Sequence, residues 1–203
     1  SHCVFDYRSN SSTVYYFYPD WGTVPAPKRR SVTGSDGTYG LPASVSDISD
    51  IAFHRSNSNL AFAADTFIYR TTNLTNATPT WTSIYNTGTD VMKMHVNFAD
   101  ANKLYIITSD QKIHISTNAQ SATPAFSVVT LPSATSTEAH ITTIKNSPNT
   151  VYITANNKVY RSIDNGATWT NITYNLPITN HTEIIADEYF SANELVFLST
   201  GGS

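Results

Sequence analysis

A carboxylate beside an indole can grip a sugar: the ring stacks on the pyranose face while the carboxylate accepts hydroxyls. The chain contains that pair once, as Asp20-Trp21. It lies in Tyr18–Arg30, a stretch punctuated by Pro19, Gly22, Pro25 and Pro27, which reads as a long loop. Corresponding stretches later in the chain are only two to four residues, and long loops on a regular scaffold often carry function. The plainer reading packs Trp21 on a neighbouring domain. Asp65, Asp110 and Asn156 stand in short polar turns between apolar runs and complete the set of candidate ligand-binding residues. Glycoside hydrolysis needs two carboxyl groups flanking one bond. Asp20, Asp65 and Asp110 are available, but no spacing singles out a pair, so no catalytic residue is assigned. The six histidines (His2, His54, His95, His114, His140 and His181) lack His-x-x-x-His or similar ligand spacing. The single cysteine, Cys3, excludes an internal disulfide and a cysteine metal cluster. No metal and no cofactor is expected.

Composition narrows the class. Charged residues make up 13 % of the 203, against about 25 % in an ordinary globular chain. Apolar residues are 40 % and aromatics 12 %, which is too hydrophobic for disorder. A net charge of -3 gives no broad basic surface, so nucleic acid is not expected as a partner. No apolar run approaches the roughly 18 residues of a membrane helix, so membrane insertion is not expected either. Ser, Thr and Asn take the place of charge, a composition suited to half-buried strands and polar turns.

The elements that must position the candidates are strands. No dozen-residue window keeps an i, i+3, i+4, i+7 apolar stripe. Short β-branched and aromatic runs recur instead: Val14–Tyr18, Leu60–Ala63, Leu104–Ile107, Val151–Ile153 and Leu195–Leu198. Their first residues are 46, 44, 47 and 44 apart. A second marker, Leu-Pro at Leu41-Pro42, Leu131-Pro132 and Leu176-Pro177, keeps the same period with one unit skipped, where Asn86-Thr87-Gly88 stands. A period near 45 with four short strands per unit is the mark of a β-propeller. The expected fold is therefore all-β, a propeller of four-stranded antiparallel blades in a single domain over 1–203. The units are 4–47, 48–89, 90–137, 138–181 and a truncated 182–203. The 138–181 unit should place strands near 139–145, 150–155, 158–163 and 168–173, with Asn146-Ser147-Pro148-Asn149 as a turn. About four blades and part of a fifth make an incomplete propeller. Val14, Leu60, Leu104, Val151 and Leu195 should be buried at equivalent second-strand positions.

One turn carries a motif. Ser162-Ile163-Asp164-Asn165-Gly166-Ala167-Thr168-Trp169 reads Ser-x-Asp-x-Gly-x-x-Trp. Asp164 can accept backbone N–H bonds across a tight turn, Gly166 can take positive φ, and Trp169 can restart the chain and pack inward. Thr71-Thr72-Asn73 running to Trp81 and Ser116-Thr117-Asn118 running to Phe126 fall in the same slot without the glycine and with a longer turn. The motif resembles the Asp-box (BNR) repeat of sialidases, sortilin-type receptors and xyloglucanase-like hydrolases, and is specific only at 162–169. The style of the repeats is similar to that of large exported bacterial surface proteins.

The resemblance implies that Ser162, Asp164, Gly166 and Trp169 are structural, remote from any active site. It also implies that ligands gather on the face holding Asp65, Asp110, Asn156 and Asn157, with Asp47, Asp50, Asp90, Glu138, His140 and His181 from the connections. The arginine triad of sialidases cannot be assembled: Arg8 and Arg55 fall in turns of the opposite face, while Arg70 and Arg161 open motif slots. The expected function is a non-catalytic binding, scaffold or adhesion module of a larger secreted or cell-surface protein. One alternative is a fragment of a glycoside hydrolase acting on extracellular polysaccharide; another is a sortilin-like peptide binder. The expected partners are a glycan or protein ligand, and further blades or another chain covering both ends. The end faces are assigned to Phe5, Tyr7, Tyr15 and Phe17 at one end and to Ile184, Phe190, Val196 and Phe197 at the other.

Overall fold

A computed structural model describes residues 4–6, 15–20, 26–31, 36–38, 40–42, 45, 48–54, 56–133, 139–176, 181–186 and 195–200. All the regular elements among them are strands. The first sheet is β1 (Val4–Asp6), β2 (Tyr15–Asp20), β3 (Ala26–Ser31) and β4 (Asp36–Thr38). The second is β5 (Asp50–Phe53), β6 (Ala61–Ala64), β7 (Phe67–Thr71) and β8 (Thr82–Asn86). The third is β9 (Val91–Val96), β10 (Leu104–Thr108), β11 (Lys112–Ser116) and β12 (Ser127–Thr130). The fourth is β13 (Ala139–Ile144), β14 (Ser147–Ala155), β15 (Lys158–Ser162) and β16 (Thr170–Asn171). A two-stranded sheet, β17 (His181–Ala186) and β18 (Val196–Thr200), follows. Each sheet is a meander, its strands hydrogen-bonded in chain order.

Burial explains why the second, third and fourth sheets are apolar in their second strands and more polar in their last. Every residue of β6 and of β10 is buried, and β14 is buried from Thr150 to Ala155. A strand covered on both faces reads as a continuous apolar run rather than an alternation. The fourth strands β8, β12 and β16 are largely exposed and correspondingly polar. Leu60, Leu104 and Val151 are all fully buried, at or just before a second strand. Val14 lies outside the described residues. Leu195 departs from the expectation: it precedes β18, a second strand, yet is 42 % exposed. It lies on the same face as the exposed Phe197, away from the sheet that β17 and β18 pack against.

The chain forms two compact units, 1–91 and 92–203. In the first, Trp81 joins Val45, Ile51, Ala61, Ala63, Tyr69 and Leu74 in one core. In the second, Tyr105, Ile107, Ile113 and Ile115 of the third sheet meet Ala139, Ile141, Val151 and Ile153 of the fourth. The fourth sheet then turns Ile144, Tyr152 and Val159 toward Ile184 and Ala186 of β17. Within the second unit the third, fourth and two-stranded sheets thus stack face to face.

Two local expectations are corrected. The stretch Tyr18–Arg30 is not one long loop. β2 runs to Asp20 and β3 starts at Ala26, with Asp20 opposite Ala26 and Pro19 opposite Pro27. The connection is residues 21–25, and Trp21 within it lies outside the described residues. Nor is Asn146–Asn149 wholly a turn. The turn is Lys145-Asn146, and β14 begins at Ser147 after a register shift beside Thr143 and Ile144. The shift lets Pro148, which cannot donate to the ladder, sit at the strand's start.

Candidate functional site

The most fully described polar site is the turn after β15. Ser162, itself buried, donates its hydroxyl to Asp164 Oδ1 at 2.7 Å. Its Oγ accepts the backbone N–H groups of Asp164 at 3.2 Å and Gly166 at 2.7 Å. Asp164 then accepts from the backbone N–H of Thr168 at 2.8 Å and from the Thr168 hydroxyl. Those bonds, from the Thr168 hydroxyl and amide first and from Ser162 next, hold the Asp164 carboxyl down at about 2. A group so acidic stays ionised at any physiological pH and cannot serve as a general acid. Gly166 adopts φ 88°. A Cβ there would stand 3.0 Å from Ile115 Cδ1 and 3.3 Å from Trp169 Cζ2. Trp169 packs on the core between the third and fourth sheets.

The two degenerate motifs make equivalent bonds across a longer turn, with asparagine in place of aspartate. Thr71 donates its hydroxyl to Asn73 Oδ1 at 2.9 Å, and its Oγ1 accepts the Asn73 N–H at 3.2 Å. Asn73 Oδ1 accepts the Thr80 N–H at 2.9 Å, one residue before Trp81. Ser116 and Asn118 repeat the exchange at 3.1 and 3.2 Å. Asn118 Oδ1 accepts the Ala125 N–H at 2.8 Å, one residue before Phe126. A further bond is common to all three. The residue after the Asx donates its N–H to the carbonyl of an asparagine ahead of or at the start of the second strand: Leu74 to Asn59, Ala119 to Asn102, and Asn165 to Asn149 near the start of β14. In these three sheets the turns therefore pin the end of the third strand to the approach to the second strand of the same sheet.

Lys103 belongs to no motif of the sequence. It is 9 % exposed, and its Nζ donates to Pro148 O at 2.9 Å, Asn149 Oδ1 at 2.7 Å and Asn165 Oδ1 at 2.7 Å. One ammonium thus ties the third sheet to both the start of β14 and the motif turn of the fourth sheet. Its only sequence signal is a lysine directly before an apolar run, where it reads as a solvated flank.

The candidate ligand residues occupy turns between second and third strands. Asp65, between β6 and β7, accepts the Phe67 N–H on Oδ1. Asp110, between β10 and β11, accepts the Thr108 hydroxyl at 2.6 Å and pairs with Lys112. Asn156, between β14 and β15, sits at φ 49° beside Asn157 at φ 57°, and its Nδ2 donates to Ser133 Oγ at 3.4 Å. Positive φ is tolerated by asparagine more readily than by most residues, and two such residues in succession make a tight hairpin turn. Asp20 ends β2. Asp65 and Asp110 are engaged within their own turns, whereas Asn156 reaches Ser133, beyond β12. Among the described residues no three His, Cys, Asp or Glu side chains gather as a metal site.

The partly buried His95 of β9 places Nε2 2.9 Å from Thr143 Oγ1 and stands edge-on to Phe98 at 4.9 Å. Thr143 Oγ1 also accepts the Phe98 N–H at 3.1 Å, so its own proton is left for a neutral imidazole. Burial, then the nearby Lys93 charge, holds His95 down at about 3. Tyr105 is fully buried, and its phenol is pushed up to about 12 by desolvation, which removes it as a nucleophile.

No protein-family model matches the chain, and no curated protein matches it by sequence. Solved structures do match. An ancestral GH74 enzyme is similar over 83 % of this chain and 23 % of its own, with a TM-score of 0.61 at 17 % identity. YCF48 bound to D1 peptide is similar over 89 % of this chain and 57 % of its own, with a TM-score of 0.60 at 15 % identity. A chain of the mitotic checkpoint complex covers 97 % of this chain and 56 % of its own, with a TM-score of 0.67 at 9 % identity. The chain thus spans from about a quarter to somewhat over half of these neighbours. At such identities the likeness is one of fold: this is an all-β chain of four-stranded antiparallel propeller blades, forming part of a β-propeller.

Proposed function

We propose that the chain is a non-catalytic binding, scaffold or adhesion segment of a larger secreted or cell-surface protein, built on Asp-box propeller blades. The observation that carries this reading is where its carboxylates spend their bonding capacity. Asp164 is held ionised at about 2 by Thr168 and Ser162, Asp110 faces Lys112 and Thr108, and Asp65 closes its turn on Phe67. A retaining or inverting hydrolase needs one carboxyl group kept protonated beside a second. None of these three is arranged so. The ligand reading assigns Asp20 and Trp21 to a glycan or protein partner, with Asp65, Asp110 and Asn156 on the same class of turn. The experiment is a glycan array together with a polysaccharide hydrolase panel on the full-length protein. Binding without turnover is the expected result. Turnover that disappears with Asp20→Asn or Asp65→Asn reverses the assignment.

The second reading is a hydrolase fragment whose partner carboxylate lies in other blades, favoured by the fold shared with the ancestral GH74 enzyme. The same panel decides between them. A sortilin-like peptide site is the third reading, and peptide-library capture on the full-length protein tests it.

A further inference from the structure

Strand parity sorts the last described sheet into two unlike faces. Ile184, Ala186, Val196 and Leu198 form one, packed against Ile144, Tyr152 and Val159 of the sheet before it. A hydrogen bond from the Ala186 N–H to Thr142 Oγ1, at 3.3 Å, crosses the same junction. The other face carries Ile185 and Phe197, directly opposite each other in register, with Leu195 two residues before Phe197. These three are 49 %, 55 % and 42 % exposed. This corrects the assignment of Ile184 and Val196 to an outward face. Phe197 keeps that assignment, and Phe190 lies outside the described residues.

What belongs on that face follows from the interfaces already present. The third sheet covers one face of the fourth, through Ile141, Val151 and Ile153. The two-stranded sheet covers its other face and leaves Ile144, Tyr152 and Val159 at most 6 % exposed. The stack is therefore a repeated face-to-face junction of apolar sheets, and the Ile185–Phe197 pair occupies the place where the next junction falls. Large apolar side chains paired across two strands are a costly thing to leave in water.

We propose that Ile185, Phe197 and Leu195 form a docking surface for a further antiparallel sheet of this same repeat, one offering an aliphatic face from its first two strands. The proposal rests on the chain's being part of a larger propeller. In a solution of the 203-residue chain alone, a second copy supplies the sheet. Sedimentation velocity over a wide concentration range reads the outcome. The unmodified chain associates as concentration rises, its mass approaching twice that of one chain. Phe197→Asp and Ile185→Lys each return it to a monomer with unchanged far-ultraviolet circular dichroism, since both side chains are half exposed. Val128→Lys, which changes another exposed apolar residue on the outer strand β12, leaves association intact. A chain that stays monomeric at every concentration overturns the proposal, as does association that survives both substitutions. Glycan turnover would defeat the non-catalytic reading and leave this association untouched.

Discussion

Replacing Lys103 with Met keeps most of the aliphatic stem and removes one buried ammonium. Its three acceptors, Pro148 O, Asn149 Oδ1 and Asn165 Oδ1, lie at 2.9, 2.7 and 2.7 Å. A hydrogen bond to a charged group contributes about 1.5–3 kcal/mol. Pro148 and Asn149 are exposed, so water can replace the lysine at two acceptors, while Asn165 is half-buried. The net loss is then nearer one such bond than three, about 2–3 kcal/mol. For a chain of this size that lowers the melting temperature by roughly 5–10 °C. Lys112→Met is the internal comparison. Lys112 is 48 % exposed and pairs with Asp110 at the surface, where an ion pair contributes about 1 kcal/mol or less. Melting followed by circular dichroism separates the two. A double-mutant cycle with Asn165→Ala should return a coupling of about 1–2 kcal/mol. Equal melting of the two lysine variants, or no coupling to Asn165, would refute the argument that the buried ammonium clips the sheets together.

Gly166→Ala should destabilise by about 2–4 kcal/mol, because positive φ and crowding by Ile115 and Trp169 act together. Gly88→Ala meets nothing within 4 Å at φ 78° and should cost only the backbone share, about 1 kcal/mol. Equal chemical-denaturation midpoints would contradict this. Asp164→Asn should fold nearly as well as the parent, since Asn73 and Asn118 accept the same bonds, whereas Asp164→Ala should cost about 1–2 kcal/mol in a urea titration. His95, held at about 3, stays neutral in the folded chain where the unfolded one takes up a proton. Its contribution is complete above pH 6.5 and is lost as pH falls, about 2 kcal/mol by pH 5. His114, lowered by burial, adds in the same direction. His95→Gln should flatten the stability curve between pH 6.5 and 5, and an unchanged slope would reject the assignment.

Much of the architecture is written locally. The second, third and fourth sheets each repeat one buried second strand, and a strand covered on both faces must be apolar throughout. Leu60, Leu104 and Val151, all fully buried, therefore mark the period in the amino-acid sequence itself. The four strands of the 138–181 unit are legible for the same reason, as is the Ser162–Trp169 turn, whose bonds close within seven residues. Where local cues conflict, the reading fails. Ala26–Ser31 is rich in charge and proline and looks like loop, yet it pairs along the full length of the tyrosine-rich β2. A strand's partner can override its own weak propensity.

What the amino-acid sequence determined by itself is thus the all-β class, the repeat and the chemistry of its turns, because these depend on residues close together in the chain. Only the tertiary structure decided that Asn73 and Asn118 take over the aspartate's bonds, since a hydrogen-bond acceptor is defined by the donor it meets. Lys103 reaches partners 45 to 62 residues away, beyond any periodicity or motif. The faces of β17 and β18 were also left to the fold. Ile184 and Ile185 are the same residue type at adjacent positions, and register alone buries one against the preceding sheet and turns the other outward.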